Sequence, residues 1–345
     1  MSYVTKVLHI DKDTLQEFEK ASITQDSLIT LMFRSWSRNP QYLLLIKPNE
    51  FIIVDKQGNI VLRKTVGYTI ESGAINDDGK VALKSGANLY IYDKNGNELY
   101  HTTFSAGINA WLQIRQRYLW LIIATSPPTV YIYDLNDFTY TSFTVDAYSA
   151  EFVRLFPNEY GDMALGARWV SSPACYLLKA DLNGIVDESS SISSNAVQRV
   201  TCTPNLASCM ISFSRTVGST NYYEVGWFLN NLNFKSLYSG SNTGHSYFVH
   251  DLNITKALIF RNNSLTVEKW ELDPETFTAT KVDTFNLSEN PETVSVDFGN
   301  GDMTPDGKYA VITTSKILII DYDTKEVVKE IPKAFTKVPV RILVA

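Results

Sequence analysis

Long apolar runs are missing from this chain. The longest, such as Tyr118 to Ala124, fall far short of the roughly 20 residues a membrane-spanning helix needs, so no membrane insertion is expected. Cysteine is scarce: Cys175, Cys202 and Cys209 have neither short paired spacing nor neighbouring histidines, which argues against a zinc site. Only four histidines occur, His9, His101, His245 and His250, and only the last two are close in sequence. Glycine-rich phosphate loops, a nucleophile elbow and His-Glu-x-x-His are all lacking, which removes the commonest phosphoryl-transfer, acyl-transfer and zinc-hydrolase sites. The opening MSYVTKVLHID enters a strand-like run at once, without the charged, apolar and small-residue order of a signal peptide. A cytoplasmic protein is the default expectation, and a virion or another assembly built inside the cell fits equally well.

Charge of one sign does not dominate either. The net charge is −6 with dispersed acids, so no global attraction for nucleic acid is expected. Two local clusters, Arg34-Ser-Trp-Ser-Arg38 and Arg115-Gln-Arg117, place cations near Trp36 and Trp111, a combination that can stack bases. Both fall at expected turns, where solvated side chains or a protein contact explain them better, and nucleic acid is not the expected partner.

What the chain does contain is a repeated phrase. An apolar run closed by Asp or Asn, a short turn and a second strand-like run recur, as in FIIVDKQGNIVLRK, LYIYDKNGNELYHT and ILIIDYDTKEVVKE. The anchors Asp11, Asp55, Asp93, Asp134, Asp181, Asn230, Asp273 and Asp321 are spaced by about 38 to 49 residues, the period of a four-stranded propeller blade. Runs rich in Val, Ile, Leu and Tyr suit buried strands. In Asp55-Lys-Gln-Gly58, Asp93-Lys-Asn-Gly96 and Asp181-Leu-Asn-Gly184 the carboxylate can accept bonds from turn amides, and the glycine supplies the positive φ of a tight hairpin. Two further strand-like runs lie upstream of most hairpins, joined by turn signals such as Asn76-Asp-Asp-Gly79 and Thr304-Pro-Asp-Gly-Lys308. The repeating unit is therefore strand, turn, strand, turn, strand, hairpin, strand.

The expected fold is all-β: a single β-propeller domain over residues 1–345, built of four-stranded antiparallel blades. Residues 26–333 hold seven repeat units. Residues 1–25 and 334–345 read as strands of one closing blade shared by the two termini, an arrangement that would pair otherwise open edges. Eight units are favoured on that basis, with a seven-bladed ring as the alternative.

The repeat resembles the WD40/YVTN class of β-propellers over nearly the whole chain. TPDGKYAVITTSKILIIDYDTKEVVKEI, from Thr304, is the segment most similar to the class, with its Pro-Asp-Gly turn and strand–Asp–turn–strand order. Departures are as informative. Gly244-His245 and Trp270 occur once in suitable places, Glu271 follows the Trp where the class has Asp, and most third strands end in Tyr-Asp, Val-Asp or Ile-Asp. The buried His–Ser–Trp–Asp network of the class is accordingly not expected.

Smaller signals leave alternatives open. Cys202 and Cys209 flank the Thr203-Pro-Asn205 turn and are either a disulfide or two small buried residues. His245 and His250 are a metal pair or, more simply, a capping and a strand histidine. Asp11-Lys-Asp13 and Asp321-Tyr-Asp323 mimic the start of a calcium loop but lack its closing glutamate. Asn-x-Ser/Thr triplets at Asn253, Asn262 and Asn286 are the number chance supplies in a chain rich in these residues.

Function then falls to binding, because loops on a rigid scaffold carry most recognition. The longest expected loops are 144–150, 168–173, 189–197, 215–223, 239–247 and 285–293, all leaving one side of the repeats. They offer Arg168, Trp169, Arg215, Tyr222, His245 and Tyr247, of which Arg, Trp and Tyr are types enriched at binding hot spots; packing between blades would equally explain Trp169 and Tyr222. The favoured expectation is a noncatalytic interaction scaffold or structural subunit that binds another protein or assembly, with no cofactor and no enzymatic activity. The alternatives are an enzyme or small-ligand binder using the central channel, and a viral structural or host-recognition protein.

Overall fold

A computed structural model describes residues 2–10, 15–24, 31–33, 41–55, 59–170, 174–193, 196–217, 220–241, 246–261, 264–291 and 301–332. Everything regular in it is β-strand except one short 3₁₀ turn at Ala150–Phe152. The chain forms two compact units: the first runs to Val145 and includes Glu159–Asp162, the second takes Asp146–Asn158 and continues from Met163.

The first unit begins with a two-stranded antiparallel hairpin, β1 (Ser2–Ile10) and β2 (Leu15–Thr24). Three four-stranded sheets follow: β3 (Leu31–Phe33), β4 (Tyr42–Lys47), β5 (Glu50–Asp55) and β6 (Ile60–Thr65); β7 (Ser72–Ile75), β8 (Val81–Ser85), β9 (Asn88–Tyr92) and β10 (Glu98–Thr103); β11 (Ile108–Arg115), β12 (Tyr118–Ile123), β13 (Thr129–Asp134) and β14 (Tyr140–Thr144).

The second unit holds four more: β15 (Val153–Pro157), β16 (Met163–Val170), β17 (Ala174–Asp181) and β18 (Gly184–Glu188); β19 (Ala196–Cys202), β20 (Ser208–Val217), β21 (Thr220–Leu229) and β22 (Phe234–Ser241); β23 (Ser246–His250), β24 (Lys256–Arg261), β25 (Thr266–Asp273) and β26 (Thr278–Asn286); β27 (Gly301–Met303), β28 (Tyr309–Thr313), β29 (Lys316–Asp321) and β30 (Val327–Pro332). Every sheet is an antiparallel meander in chain order, the order the repeated phrase predicts. Among the described residues the sheet count is seven of four strands and one of two. The C-terminal half of the expected closing blade, residues 334–345, lies outside the described residues.

Burial explains the residue pattern of the strands. Leu119–Ile123 of β12 are all buried, whereas Tyr140, Thr141 and Ser142 of β14 are exposed. A strand covered on both faces reads as a continuous apolar run, and an outer strand as an alternating or polar one. Neighbouring sheets pack face to face through these runs. In the first unit Leu89 and Ile91 meet Leu112, Ile114, Leu119 and Leu121; in the second, Leu258 and Val267 share a core with Ala310, Ile312 and Leu318.

The turns follow the chemistry of their anchors. Asp93 Oδ1 accepts the amides of Asn95 at 2.9 Å and Asn97 at 2.8 Å, with Gly96 at φ +84°. Asp181 Oδ1 accepts Asn183 and Gly184 at 2.7 and 3.1 Å, and Asp321 Oδ1 accepts Asp323 and Thr324, each at 2.9 Å. Asn230 is a correction. The turn bonds Leu229 N to Asn233 O and Leu232 N to Leu229 O put Leu229 where the other repeats have Asp. The Asn230 side chain instead accepts Lys179 Nζ at 2.7 Å and donates to Leu206 O at 3.3 Å. The first-to-second-strand turns use a second device: Asn76 Oδ1, Asp251 Oδ1 and Thr304 Oγ1 each accept an amide four or five residues ahead, from Lys80, Lys256 and Tyr309.

A buried Trp–Ser pair occurs where no Trp-Asp motif marks one. Trp227 of β21 donates Nε1–H to Ser208 Oγ of β20 at 2.5 Å, and both residues are buried. No Asp follows this Trp, so sequence comparison does not mark it. Trp270 instead bonds Glu268 Oε2 at 3.1 Å.

Candidate functional site

Two arrangements in the second unit bring chemistry-bearing side chains together. The first runs along the opening strands of its sheets, each of which is hydrogen-bonded to a neighbour on one edge only. An open edge leaves backbone carbonyls that need donors, and arginines from the preceding sheet supply them. Arg154 on β15 donates Nε–H to Gln198 O of β19 at 3.2 Å, and Nη1 to Glu151 O and Val153 O at 2.6 and 3.0 Å. Arg199 on β19 donates to Phe248 O of β23 at 3.2 Å, with its guanidinium 4.9 Å from the Phe248 ring centre. Gly166 of β16 lets β15 approach at this point, since a Cβ there would collide with Arg154 O.

The same row continues with Thr201 and His250, whose Oγ1 and Nε2 are 2.7 Å apart. His250 Nδ1 lies 2.7 Å from Asp251 O, so Nδ1 carries the proton and Nε2 accepts. Burial lowers the His250 pKa; the Asp251 carbonyl and carboxylate and Asp302 on β27 oppose this, and Arg199 reinforces it. A hydroxyl beside a neutral imidazole is the start of a nucleophile–base pair. Here the orienting group is a main-chain carbonyl and both residues are buried, so a substrate would have to open the packing to reach them. Among the described residues no group of three or more His, Cys, Asp and Glu side chains could hold a metal ion.

The second arrangement is at the surface. Arg168 and Trp169 end β16, next to the loop that leads into β15. Tyr148 N donates to Trp169 O at 3.0 Å; Cys175 N donates to Ser193 O at 2.6 Å, and Ile192 N to Cys175 O at 2.9 Å. The connections entering β15 and β19 are thus bonded to the end of the sheet where β16 passes to β17. Arg168 is spoken for: Nη2 lies 2.8 Å from Glu188 Oε1 and Nη1 3.2 Å from Asp146 Oδ2, Nη1 also bonds Asp146 O, and the guanidinium stands 4.9 Å from the Tyr176 ring. Burial works against its charge, but Glu188 and Asp146 outweigh that and raise its pKa. Trp169 is half-buried, edge-on to Phe152 at 4.9 Å and to Tyr148 at 5.3 Å.

The remaining candidates separate. Tyr222 is half-buried on β21, opposite Arg215 and Ser241. His245 and the Arg215 side chain lie outside the described residues. Tyr247 is a correction: it is 3% exposed and packs against Phe260, ring centres 6.1 Å apart, within a core cluster. All of β23 is buried, and a tyrosine in a strand covered on both faces cannot serve a loop surface. Arg115, expected in a solvated turn, is 3% exposed and bonds Ile114 O and Gln113 Oε1, each at 2.8 Å. Arg117 does sit outside, paired with Asp134 at 3.0 Å.

Sequence reasoning missed Arg154, Arg199, Tyr148 and Phe152. Arg154 and Arg199 had one usable signal, a lone arginine within the apolar first strand of two successive repeats. Tyr148 and Phe152 had none beyond lying in or beside a long loop. Cys202 and Cys209 resolve to a disulfide, facing each other across β19 and β20 with Cα atoms 3.9 Å apart. Cys175 is a buried free thiol whose pKa burial raises.

No protein-family model and no curated protein sequence matches the chain. Solved structures do. A complex of KlAtg21 with the coiled-coil of AgAtg16 aligns with TM-score 0.60 at 10% identity, covering 89% of this chain and 96% of that one. The Cps50 (Swd1) β-propeller domain of Myceliophteria thermophila gives 0.53 at 11%, covering 83% and 96%. Hydrazine synthase of Kuenenia stuttgartiensis gives 0.59 at 11%, covering 86% and 97%. At such identities the likeness carries the fold alone, and the fold is that of the WD40-like β-propellers.

Proposed function

We propose that the chain is a noncatalytic interaction scaffold, or a structural subunit of a larger assembly, that meets a protein partner through the loops bonded to the β16–β17 end of the second unit. One observation carries the reading. Tyr148 and Phe152 of the connection into β15 and Trp169 of β16 stand partly in solvent, whereas the reactive-looking side chains of the opening strands, Arg154, Arg199, Thr201 and His250, are buried. Rigid loops with Tyr and Trp are suited to recognition. A structural neighbour whose name records a complex with a coiled coil is consistent with this use of the fold. The test is affinity capture of the intact protein with mass spectrometry of what co-purifies, followed by reconstitution with the purified partner. A stoichiometric complex that shows no turnover is expected; a protein that stays alone under all capture conditions counts against the reading.

A second reading, a small-ligand binder or enzyme, is favoured by the Thr201–His250 pair beside Arg199. Metal and ligand analysis of protein purified without chelator separates the two, because a stoichiometric ion or small molecule at the opening strands supports only the second.

A further inference from the structure

We infer that Asp146, Tyr148, Glu151, Phe152 and Trp169 form a docking site for a basic segment of the partner protein, one that seats an arginine or lysine side chain against Tyr148. The inference rests on the scaffold reading above and names the chemistry of its partner.

The first support is preorganisation. Phe152 and Trp169 meet edge-to-face at 4.9 Å, and Tyr148 packs against both, at 6.0 and 5.3 Å between ring centres. Tyr148 nonetheless remains 62% exposed, so two neighbours fix a ring that still faces solvent. An aromatic held in this way binds without a large loss of side-chain freedom.

Charge supplies the second. Three acids, Asp146, Glu151 and Glu188, lie in this region with two cations, Arg168 and Arg154, the latter turned to the main-chain carbonyls of Glu151, Val153 and Gln198. Arg168 engages Glu188 and one carboxylate oxygen of Asp146, while among the described residues no hydrogen bond or ion pair engages the Glu151 carboxylate or Asp146 Oδ1. The Asp146 side chain is 91% exposed. A cation over an aromatic face, with carboxylates beside it, gains from both the ring quadrupole and the charges. The same carboxylates repel acidic peptides, nucleic acid and anionic lipid, which leaves a basic protein segment as the occupant. Arginine suits the site better than lysine because its planar guanidinium can stack and bond a carboxylate together.

Two buried polar atoms at the site, Trp169 Nε1 and Ser149 Oγ, find no hydrogen-bond partner among the described residues. Buried polar groups are seldom left so. Covered by protein, neither atom is itself a contact for a docked segment, but the Trp169 indole, 5.3 Å from the Tyr148 ring centre, is placed to report on one.

The experiment titrates acetyl-GRGRGRG-amide into the ¹⁵N-labelled intact protein and follows the indole N–H resonances, with acetyl-GKGKGKG-amide and acetyl-GEGEGEG-amide alongside. One of the six tryptophan signals should move, the one that Trp169→Phe removes. Tyr148→Ala should weaken the arginine peptide by about three- to fivefold, Tyr148→Phe should retain it, and Asp146→Asn with Glu151→Gln should abolish the preference over the glutamate peptide. Equal binding of arginine and glutamate peptides by the unaltered protein would overturn the site, as would undiminished arginine binding by a folded Tyr148→Ala variant. A captured partner that binds Tyr148→Ala as well as the unaltered protein also overturns the docking site, yet leaves the scaffold reading standing; turnover or a ligand at the opening strands strikes that reading instead.

Discussion

Thr201 donates its hydroxyl proton to His250 Nε2, 2.7 Å away on the opening strand of the next sheet. With Nδ1–H committed to Asp251 O at 2.7 Å, the folded protein holds this imidazole neutral. Burial is the main cause, the Asp251 and Asp302 charges oppose it and Arg199 supports it.

A pH dependence follows from that bond. The folded pKa is below the unfolded value of about 6.5, so near and under that pH the unfolded chain binds a proton the folded chain refuses. The stabilisation is present above pH about 6.5 and is lost as pH falls towards the folded pKa. Melting temperature measured from pH 7.5 to 5.0 should drop on the acid side, and His250→Gln should flatten the drop. A wild-type slope retained in His250→Gln would refute the assignment.

Disulfide reduction should cost stability without breaking the fold. The Cys202–Cys209 link closes a short loop of sequence separation 7, for which chain entropy gives roughly 2 to 3 kcal/mol. Thiol titration of the denatured protein should find one reactive thiol, Cys175, before reduction and all three of the chain's cysteines after it. Three thiols without reductant would disprove the bond.

Arg199→Met should lower the urea midpoint, since it strips a donor from Phe248 O and a cation from the Phe248 ring. Loss of a buried charge-assisted bond costs roughly 1 to 3 kcal/mol. Arg199→Lys should restore little of it, because an ammonium lacks the planar fork. A midpoint unchanged in Arg199→Met would show that the interstrand bond contributes nothing.

Gly166→Ala should be among the most damaging single-methyl changes in the chain. The added Cβ meets the Arg154 carbonyl oxygen, a backbone atom that can move only with β15, and overpacking of this kind costs roughly 1 to 3 kcal/mol. Gly67→Ala, with nothing near its Cβ position, is the control. Equal melting temperatures for the two variants would refute the close approach.

The repeat itself was legible in the sequence, because a strand covered on both faces must be apolar throughout and a tight turn must find acceptors for its amides. Those are local demands, and Asp93, Asp181 and Asp321 answer them within a few residues. Where a side chain serves a distant partner the local reading fails. Asn230 looks like a turn anchor but reaches Lys179, Tyr247 looks like a loop tyrosine but lies in the core, and Arg168 looks like a free hot-spot cation but is neutralised by Asp146 and Glu188. The candidate surface was only half visible for the same reason. Trp169 could be chosen by residue type, whereas Tyr148 and Phe152 join it only once the loop before β15 is bonded to the end of β16. Strand, turn and repeat are written in contacts a few residues apart. The pairing of Arg199 with Phe248, of Thr201 with His250 and of Cys202 with Cys209 is decided by which strand edges the fold lays side by side, and no single repeat carries that information.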